Sequence, residues 1–135
     1  MTADVIIVGA GPVGLLLGAE LRLASVSVTI VERLNAPTGL SKALPLVGRA
    51  QDCVGMRGLL ARFRERSPAL PFSPVSLLHF SMLPLDISKT DLQPKGVFVP
   101  QSITEAILLE HALSLGVEVR TGLDVTGLSQ TTDQV

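Results

Sequence analysis

The chain has 135 residues, of which 47% are hydrophobic and 17% charged, a composition that predicts a folded chain with room for one hydrophobic core. Eleven Lys and Arg against twelve Asp and Glu give a net charge of -1, which argues against nucleic acid or an acidic membrane as a partner. Because there are four Phe but no Tyr or Trp, the apolar content is almost all aliphatic, which favours an α/β fold with buried parallel strands.

Cysteine use and the longest apolar run indicate the compartment. Cys53 is the one cysteine, so no internal disulfide can form, and a reducing compartment is favoured. The longest uncharged apolar run, Val5–Ala19, has 15 residues, fewer than the ~20 that a membrane-spanning helix needs. The only charged residue before this run is the acid Asp4, whereas a signal peptide has positive charge there. We therefore expect a cytoplasmic protein.

The first third of the chain predicts a strand, a helix and a second strand. Val5–Val8 is a short β-branched run typical of a strand buried on both faces. Pro12 suits the first turn of a helix that continues to Ala24 and is apolar nearly all round, so we predict a buried helix. A second β-branched run, Val26–Val31, predicts a parallel strand reached by a right-handed crossover, with Glu32 at its carboxyl end.

The middle of the chain is rich in Pro and Gly. Residues 35–48 predict an irregular loop, and Arg49–Arg66 has the composition of one helix. Prolines then interrupt the sequence, so we predict a peripheral β excursion over 74–100, with Val75–Phe80 and Met82–Ile87 as candidate edge strands.

The last part predicts a helix and two strands. Ser102–Glu105 matches a capping box that would begin a helix, and Gly116 would end it. Val117–Arg120 and Leu123–Thr126 then alternate apolar and polar residues on either side of a Thr-Gly pair, which predicts solvated antiparallel strands.

A glycine motif indicates a dinucleotide site. The segment from Gly9 to Gly14 matches G-x-G-x-x-G, directly after the first predicted strand and at the start of the helix, and Glu32 follows 18 residues after Gly14. Gly9 permits a tight turn, Gly11 leaves room for a pyrophosphate, and Gly14 lets the helix pack closely on the strand. The helix N-terminus would face the phosphates, and Glu32 would accept hydrogen bonds from ribose hydroxyls while repelling a 2′-phosphate.

Several spaced motifs resemble one family along the whole chain. They are Asp-Val-Ile-Ile-Val-Gly-Ala-Gly-Pro-Val-Gly-Leu from Asp4, Glu32 with Arg33, Pro-Thr-Gly-x-Ser-Lys-Ala from Pro37, Gly48 to Ala50, His79 with Phe80, Pro84 to Ser88, and Val99 to Gln101 with Glu105. These motifs resemble the start of the single-component flavin aromatic hydroxylases. The family is p-hydroxybenzoate hydroxylase-like, and the chain is most similar to its members that oxidise aromatic polyketides, phenols and rifamycins.

The resemblance implies a fold and a reaction. The fold would be a Rossmann-like FAD-binding βαβ fold of the glutathione-reductase type, with 1–135 as the N-terminal portion of the FAD-binding domain and the substrate domain absent. The cofactor would be FAD, with NAD(P)H as electron donor and dioxygen as co-substrate, in a monooxygenase that hydroxylates an electron-rich aromatic small molecule. The chain alone would be catalytically incomplete.

The resemblance also assigns cofactor contacts. The pyrophosphate would lie on the backbone of the glycine motif. The ribose would bind the acid after the second strand, and the adenine would lie beside the next arginine. A second arginine would contact the flavin phosphates, and a glutamine would contact the ribityl or phosphate region. In chain order these residues are Gly9, Gly11, Pro12, Val13, Gly14, Glu32, Arg33, Arg49 and Gln101. No catalytic residue can be named, because no nucleophile–base pair is evident, and neither histidine has a second ligand at metal spacing.

The sequence departs from the family pattern in three ways. Lys42 stands where the family has an arginine, and Ser25 replaces the glycine that closes the first helix. The Asp-Gly and Gly-Asp segments that complete the family's FAD site do not occur. We therefore expect exposed aliphatic surface, weak flavin binding, and self-association or a need for a second polypeptide.

Two alternatives remain open at the level of sequence. The chain could be a non-catalytic dinucleotide-binding or interaction module. It could also be part of an NAD-dependent oxidoreductase, because the glycine motif and Glu32 suit NAD as well as FAD.

Overall fold

A computed structural model describes residues 3–67, 79–80, 83–84 and 96–132. The helices are α1 Pro12–Leu23, α2 Arg49–Met56, α3 Leu60–Glu65 and α4 Gln101–Ser114, and the strands are β1 Val5–Val8, β2 Val28–Glu32, β3 Pro45–Val47, β4 His79–Phe80, β5 Leu83–Pro84, β6 Gly96–Phe98 and β7 Glu118–Thr121. The chain divides into two compact units, one formed by Met1–Leu40 with Glu105–Val135 and the other by Ser41–Thr104. Each unit has its own buried side chains, among them Leu15 and Ile30 in the first and Phe63 and Val99 in the second.

The first unit contains a parallel sheet in the order β1-β2-β7. Val5 lies opposite Val28 and Val8 opposite Val31, so β1 and β2 are parallel strands joined by α1, as predicted. Glu32 is the last residue of β2, also as predicted. The buried aliphatic side chains of this unit are Ile7, Leu15, Ala19, Val28, Ile30, Ile107, Leu108, Ala112 and Val117. The α/β class with parallel strands is confirmed.

The prediction for the strands after Gly116 was wrong. The strand β7 pairs in parallel with β2, with Thr29 opposite Glu118, and residues 123–130 form no strand. Val117 is buried, whereas Glu118 accepts a hydrogen bond from Thr29 Oγ1 at 3.0 Å on the opposite face. The apolar–polar alternation therefore reflects a sheet face left uncovered by the described residues, and not an antiparallel pair.

Burial in β1 and α1 is also one-sided. Ile7 is buried, but Ile6 and Val8 are 62% and 67% exposed, so the prediction of a strand buried on both faces was wrong. The helix α1 buries Leu15 and leaves Val13 81% exposed, so it is not buried all round. The reason is that within the described residues helices cover one face of the sheet only.

The predicted helix Arg49–Arg66 is two helices. The first, α2, ends at Met56, because Gly58 adopts a left-handed conformation with φ of 70°. The N–H of Leu59 then donates to the carbonyl oxygen of Val54 at 3.0 Å, which closes the helix end before α3 begins.

The second unit contains a ladder that was not predicted. The strand β3 lies in the segment 35–48 predicted as an irregular loop, and it pairs antiparallel with β6, with Pro45 opposite Phe98. Pro45 occupies the first position of its strand, where the missing N–H is tolerated. The strands β4 and β5 also pair antiparallel and fall within the candidate edge strands Val75–Phe80 and Met82–Ile87, whose other residues lie outside the described ones.

The helices α1 and α4 are joined at their C-terminal ends by Arg22. Its Nε donates to the carbonyl oxygen of Leu115 at 3.1 Å, and its Nη1 donates to that of Val26 at 3.0 Å. A cation at two helix C-termini also meets the negative ends of both dipoles. This side chain therefore connects parts of the first unit that are far apart in the sequence.

The end of α1 has a left-handed residue that is not glycine. Ser25 has φ of 64°, and the N–H of Val26 donates to the carbonyl oxygen of Leu21 at 3.0 Å, the bond of a Schellman motif. Gly58 and Gly116 hold the equivalent positions after α2 and α4, with φ of 70° and 84°. Ser25 therefore bears the steric cost of a Cβ in this conformation.

Ser25→Gly is expected to raise the free energy of unfolding by about 0.5–1 kcal/mol. The substitution removes the left-handed penalty, and the greater freedom of glycine in the unfolded chain offsets part of the gain. Urea unfolding of both proteins measures this change in the free energy of unfolding. The matched variant is Gly116→Ser, expected to destabilise the fold, since a Cβ there would also lie 3.3 Å from Arg22 Nη2. Equal stability of Ser25→Gly and the parent chain would contradict this account.

Candidate functional site

A short loop joins β1 to α1. Gly9 has φ of 105°, a conformation that favours glycine, and its N–H donates to the carbonyl oxygen of Val31 at 2.8 Å, which extends the pairing with β2 by one residue. Gly11 then precedes α1 with extended backbone, at φ -74° and ψ 178°, and Pro12 is the first helical residue. The loop therefore turns the chain from strand to helix within three residues.

The glycines of this loop have different surroundings. A Cβ on Gly14 would collide with the carbonyl oxygen of Gly9 and lie 3.3 Å from Ile7 Cγ2, so Gly14 permits the close packing of α1 on β1. A Cβ on Gly11 would meet nothing within 4 Å. The space beside Gly11 is therefore open, whereas the space beside Gly14 is filled by the fold.

The start of α1 suits an anion. The first turn of a helix leaves N–H groups without partners inside the helix, and the helix dipole places positive potential there. No acidic residue lies in the first turn of α1, and Pro12 has no N–H to leave unpaired. The N–H groups of Val13 and Gly14 are thus placed where a phosphate could accept them.

Glu32 lies against the glycine loop, which consists of Gly9, Ala10 and Gly11. Its Oε2 accepts the N–H of Ala10 at 2.8 Å, and its Oε1 accepts the N–H of Leu34 at 3.0 Å. The bond from Leu34 lowers the pKa of the half-buried Glu32 carboxyl most, followed by that from Ala10, and the charge of Arg33 lowers it further. Because an ionised carboxylate offers about four acceptor positions, these hydrogen bonds leave part of its acceptor capacity for a ligand.

The other predicted site residues have the following places. Arg33 directly follows Glu32 and is exposed. In the second unit, Arg49 is the exposed first residue of α2, after Gly48, which has φ of 56°. Gln101 is the first residue of α4, and its Oε1 accepts the N–H of Lys42 at 3.3 Å. The first unit thus brings the glycine loop and Glu32 together, and the second brings Gln101 to Lys42.

Two residues near these groups were missed from the sequence. A Cβ on Gly18 would lie 3.0 Å from Ile30 Cδ1, so Gly18 continues the close packing that Gly14 begins. Its spacing of four from Gly14, on the same helix face, is the signal that could have found it. Ser41, whose hydroxyl accepts the N–H of Gln101 at 2.8 Å, carries no comparable local signal.

No helix in the described part of the chain is long and apolar enough to cross a membrane. Residues 3–67, 79–80, 83–84 and 96–132 contain no group of three or more His, Cys, Asp or Glu that could hold a metal ion.

The fold and the glycine loop define a nucleotide-binding class, and comparison with known proteins identifies the family. A family model described as FAD binding domain matches residues 2–135. The chain therefore belongs to the FAD binding domain family, which confirms the resemblance to FAD-dependent hydroxylases.

Its relatives include monooxygenases. The chain is 43% identical over its full length to 12-dehydrotetracycline 5-monooxygenase/anhydrotetracycline 6-monooxygenase of Streptomyces rimosus, covering 26% of that protein. It is 41% identical to rifampicin monooxygenase of Streptomyces venezuelae, over 98% of this chain and 27% of the relative. The solved structure of the anhydrotetracycline hydroxylase OxyS from Streptomyces rimosus matches 98% of this chain and 27% of that one, at 43% identity and a TM-score of 0.81.

The relatives are longer and not all are named for oxygenation. The chain spans about a quarter of the length of the curated relatives it matches. A dialkyldecalin synthase of Streptomyces rugosporus is 34% identical over the whole of this chain, which covers 28% of it. The same kind of domain therefore occurs in proteins with different named reactions.

Proposed function

We propose that the first unit holds the adenosine and pyrophosphate half of FAD. The observation that carries the proposal is the hydrogen bond from Ala10 to Glu32, which sets a carboxylate against a glycine loop with open space at Gly11. A polar ligand with hydroxyls at one end and phosphates next to them matches that juxtaposition. The fold of this unit is Rossmann-like on this proposal.

Different residues of the first unit would bind different parts of the ligand. The N–H groups of Val13 and Gly14, which follow Pro12, would donate to the pyrophosphate. The turn at Gly9 would orient these groups toward it. Glu32 would accept hydrogen bonds from the ribose hydroxyls with its remaining acceptor capacity. The exposed guanidinium that follows it, on Arg33, would lie by the adenine.

The resemblance assigns two further residues, Arg49 and Gln101, to the cofactor. Arg49 would donate to the flavin phosphates, since a guanidinium is a natural bidentate partner of phosphate. Gln101 would contact the ribityl or phosphate region. Both assignments follow the family resemblance, and the exposure of Arg49 and the position of Gln101 at a helix start suit them.

The reaction we propose is hydroxylation of an aromatic small molecule. Bound FAD, reduced by NAD(P)H, supplies the electrons that activate dioxygen for this reaction. The chain would act as the N-terminal portion, 1–135, of such an enzyme in a cytoplasmic setting, and the names of the tetracycline and rifampicin relatives support the aromatic class. The similarity to a dialkyldecalin synthase favours one alternative, an FAD-bearing protein that catalyses no hydroxylation.

A titration of the purified chain with FAD tests the proposal. With no Trp or Tyr, the protein has little absorbance or emission of its own, so flavin fluorescence reports binding directly. Saturable binding of FAD, with NAD unable to displace it, is the expected result. Binding of NAD but not FAD would favour the NAD-dependent oxidoreductase, and binding of neither would overturn the proposal.

We further propose that the isolated chain self-associates or takes up a second polypeptide. The exposed Ile6 and Val8 lie together on one strand, and exposed aliphatic patches favour association. Light scattering should give a mass above 14.2 kDa. The double variant Ile6→Thr/Val8→Thr should lower that mass, while Leu128→Thr, at an exposed leucine away from any strand, should not. A stable monomeric parent chain that binds FAD stoichiometrically would contradict the proposal.

A further inference from the structure

The helix α4 begins without a capping side chain next to it in the sequence. Its first residue is Gln101, and the carbonyl oxygen of Pro100 accepts the N–H of Thr104 at 3.2 Å, so Pro100 stands at the N-cap. Proline has no side-chain oxygen to accept the N–H groups of the first turn. The predicted capping box was wrong, because Ser102 is the second residue of the helix.

Ser41, from a distant part of the chain, takes over this role. Its Oγ accepts the N–H of Gln101 at 2.8 Å and donates to the carbonyl oxygen of Ala43 at 2.9 Å. The Oε1 of Gln101 accepts the N–H of Lys42 at 3.3 Å in return. We call these three hydrogen bonds the Ser41 clasp.

The Ser41 clasp extends the ladder between β3 and β6. Pro45 lies opposite Phe98 in the ladder, and the N–H of Val99 donates to the carbonyl oxygen of Leu44 at 3.0 Å one step further on. The clasp is the next connection between the same two segments. The ladder therefore fixes the backbone near Ser41. The Ser41 hydroxyl in turn fixes the position of Gln101, the first residue of α4.

We propose that Ser41 is a positioning residue for the cofactor, acting through Gln101. The inference rests on the proposed function, which assigns Gln101 to the nucleotide. The hydroxyl of Ser41 binds the backbone N–H of Gln101, and the N–H of the next residue, Lys42, donates to the side chain of Gln101. Ser41 therefore restricts the Gln101 side chain to one conformation before the ligand binds. A side chain already ordered loses less entropy on binding, so the clasp strengthens binding without touching the ligand.

The expected effect on affinity is moderate. Ordering one long side chain costs an amount that corresponds to roughly a 3–10-fold change in affinity. Ser41 is exposed, so water can replace the hydroxyl at the groups it leaves, and Ser41→Ala should fold. Ser41→Thr retains a hydroxyl and should restore binding.

A double-mutant cycle on the 135-residue chain tests the inference. FAD dissociation constants are measured for Ser41→Ala, Ser41→Thr, Gln101→Ala and the double variant Ser41→Ala/Gln101→Ala. Ser114→Ala is the control, because that hydroxyl donates to the carbonyl oxygen of His111 at 2.7 Å near the opposite end of α4. Hydrogen exchange of the Gln101 and Lys42 amides is followed by NMR in the same proteins.

We expect Ser41→Ala to weaken FAD about 3–10-fold and to speed exchange at both amides, with Ser41→Thr and Ser114→Ala close to the parent. The double variant should bind FAD as Gln101→Ala does. If Gln101→Ala weakens FAD but Ser41→Ala leaves it unchanged, or if the two effects multiply, the inference is wrong and the proposed function stands. If Gln101→Ala has no effect, or the parent chain binds no FAD, the proposed role of Gln101 and the inference fall together.

Discussion

Gly11→Val should weaken FAD binding by about 1–3 kcal/mol and leave the stability of the fold close to that of the parent chain. A Cβ at this position meets no protein atom within 4 Å, and φ of -74° with ψ of 178° is open to any residue. The branched side chain would therefore occupy space that the protein leaves open and the pyrophosphate needs. Flavin fluorescence titration and thermal unfolding of the same samples measure the two effects.

Gly14→Ala is the matched control for Gly11→Val. Its Cβ would collide with the carbonyl oxygen of Gly9, so it should lower the free energy of unfolding by about 1–3 kcal/mol as overpacked cores do. The two variants thus separate a glycine kept for a ligand from one kept for packing. Unchanged FAD affinity in Gly11→Val would refute the assignment of the loop as the phosphate site.

Glu32→Ala should weaken FAD by about 1.5–3 kcal/mol, the range for hydrogen bonds to a charged acceptor. The carboxylate accepts N–H groups from Ala10 and Leu34, so its removal should also cost about 1.5–3 kcal/mol of stability. Glu118→Ala, which removes a half-buried carboxylate that accepts a hydrogen bond from Thr29 in the same sheet, is the control for loss of a hydrogen-bonded acid. Equal FAD affinity of Glu32→Ala and the parent would show that this acid holds the loop at Ala10 and does not bind the ribose.

The stabilisation by Glu32 should depend on pH. Because its hydrogen bonds lower the pKa of Glu32 in the folded state, its contribution is full above the ordinary carboxyl pKa of 4.5 and is lost as the pH falls through the lowered value. Urea unfolding of the parent and of Glu32→Gln should therefore differ by a constant amount at neutral pH and converge below about pH 4.5. The pKa values of Asp4 and Glu118 are also lowered, but both residues are present in both proteins and cancel in the difference. A difference that stays constant down to pH 2 would contradict the link.

The features predicted correctly from the sequence are local ones. The strand–helix–strand unit depends on β-branched runs, Pro12 and the loop glycines, all within a few residues of the structure they specify. Glu32 was located by its distance along the chain from Gly14, since the length of a βαβ unit fixes which residue ends the second strand. In such units, short-range sequence decides both the element and the residue at its end.

The features predicted wrongly depend on contacts between distant segments. The pairing of β3 with β6 joins residues about 50 positions apart, and a three-residue strand that begins with Pro45 carries no periodicity of its own. The direction of β7 is decided by its neighbour β2, and the alternation that suggested a hairpin has another cause in the face bearing Glu118. In the same way, the cap of α4 comes from Ser41 and not from the adjacent residues.

The first unit is discontinuous, because Ser41–Thr104 lies between its two segments, and this affects the order in which the protein folds. The sheet becomes three-stranded only when β7 reaches β2, and the bond from Arg22 to Leu115 spans 93 positions. The entropy of closing such a loop rises only by about 0.6 kcal/mol for each doubling of its length. Long insertions at this point should therefore cost little stability but delay completion of the sheet.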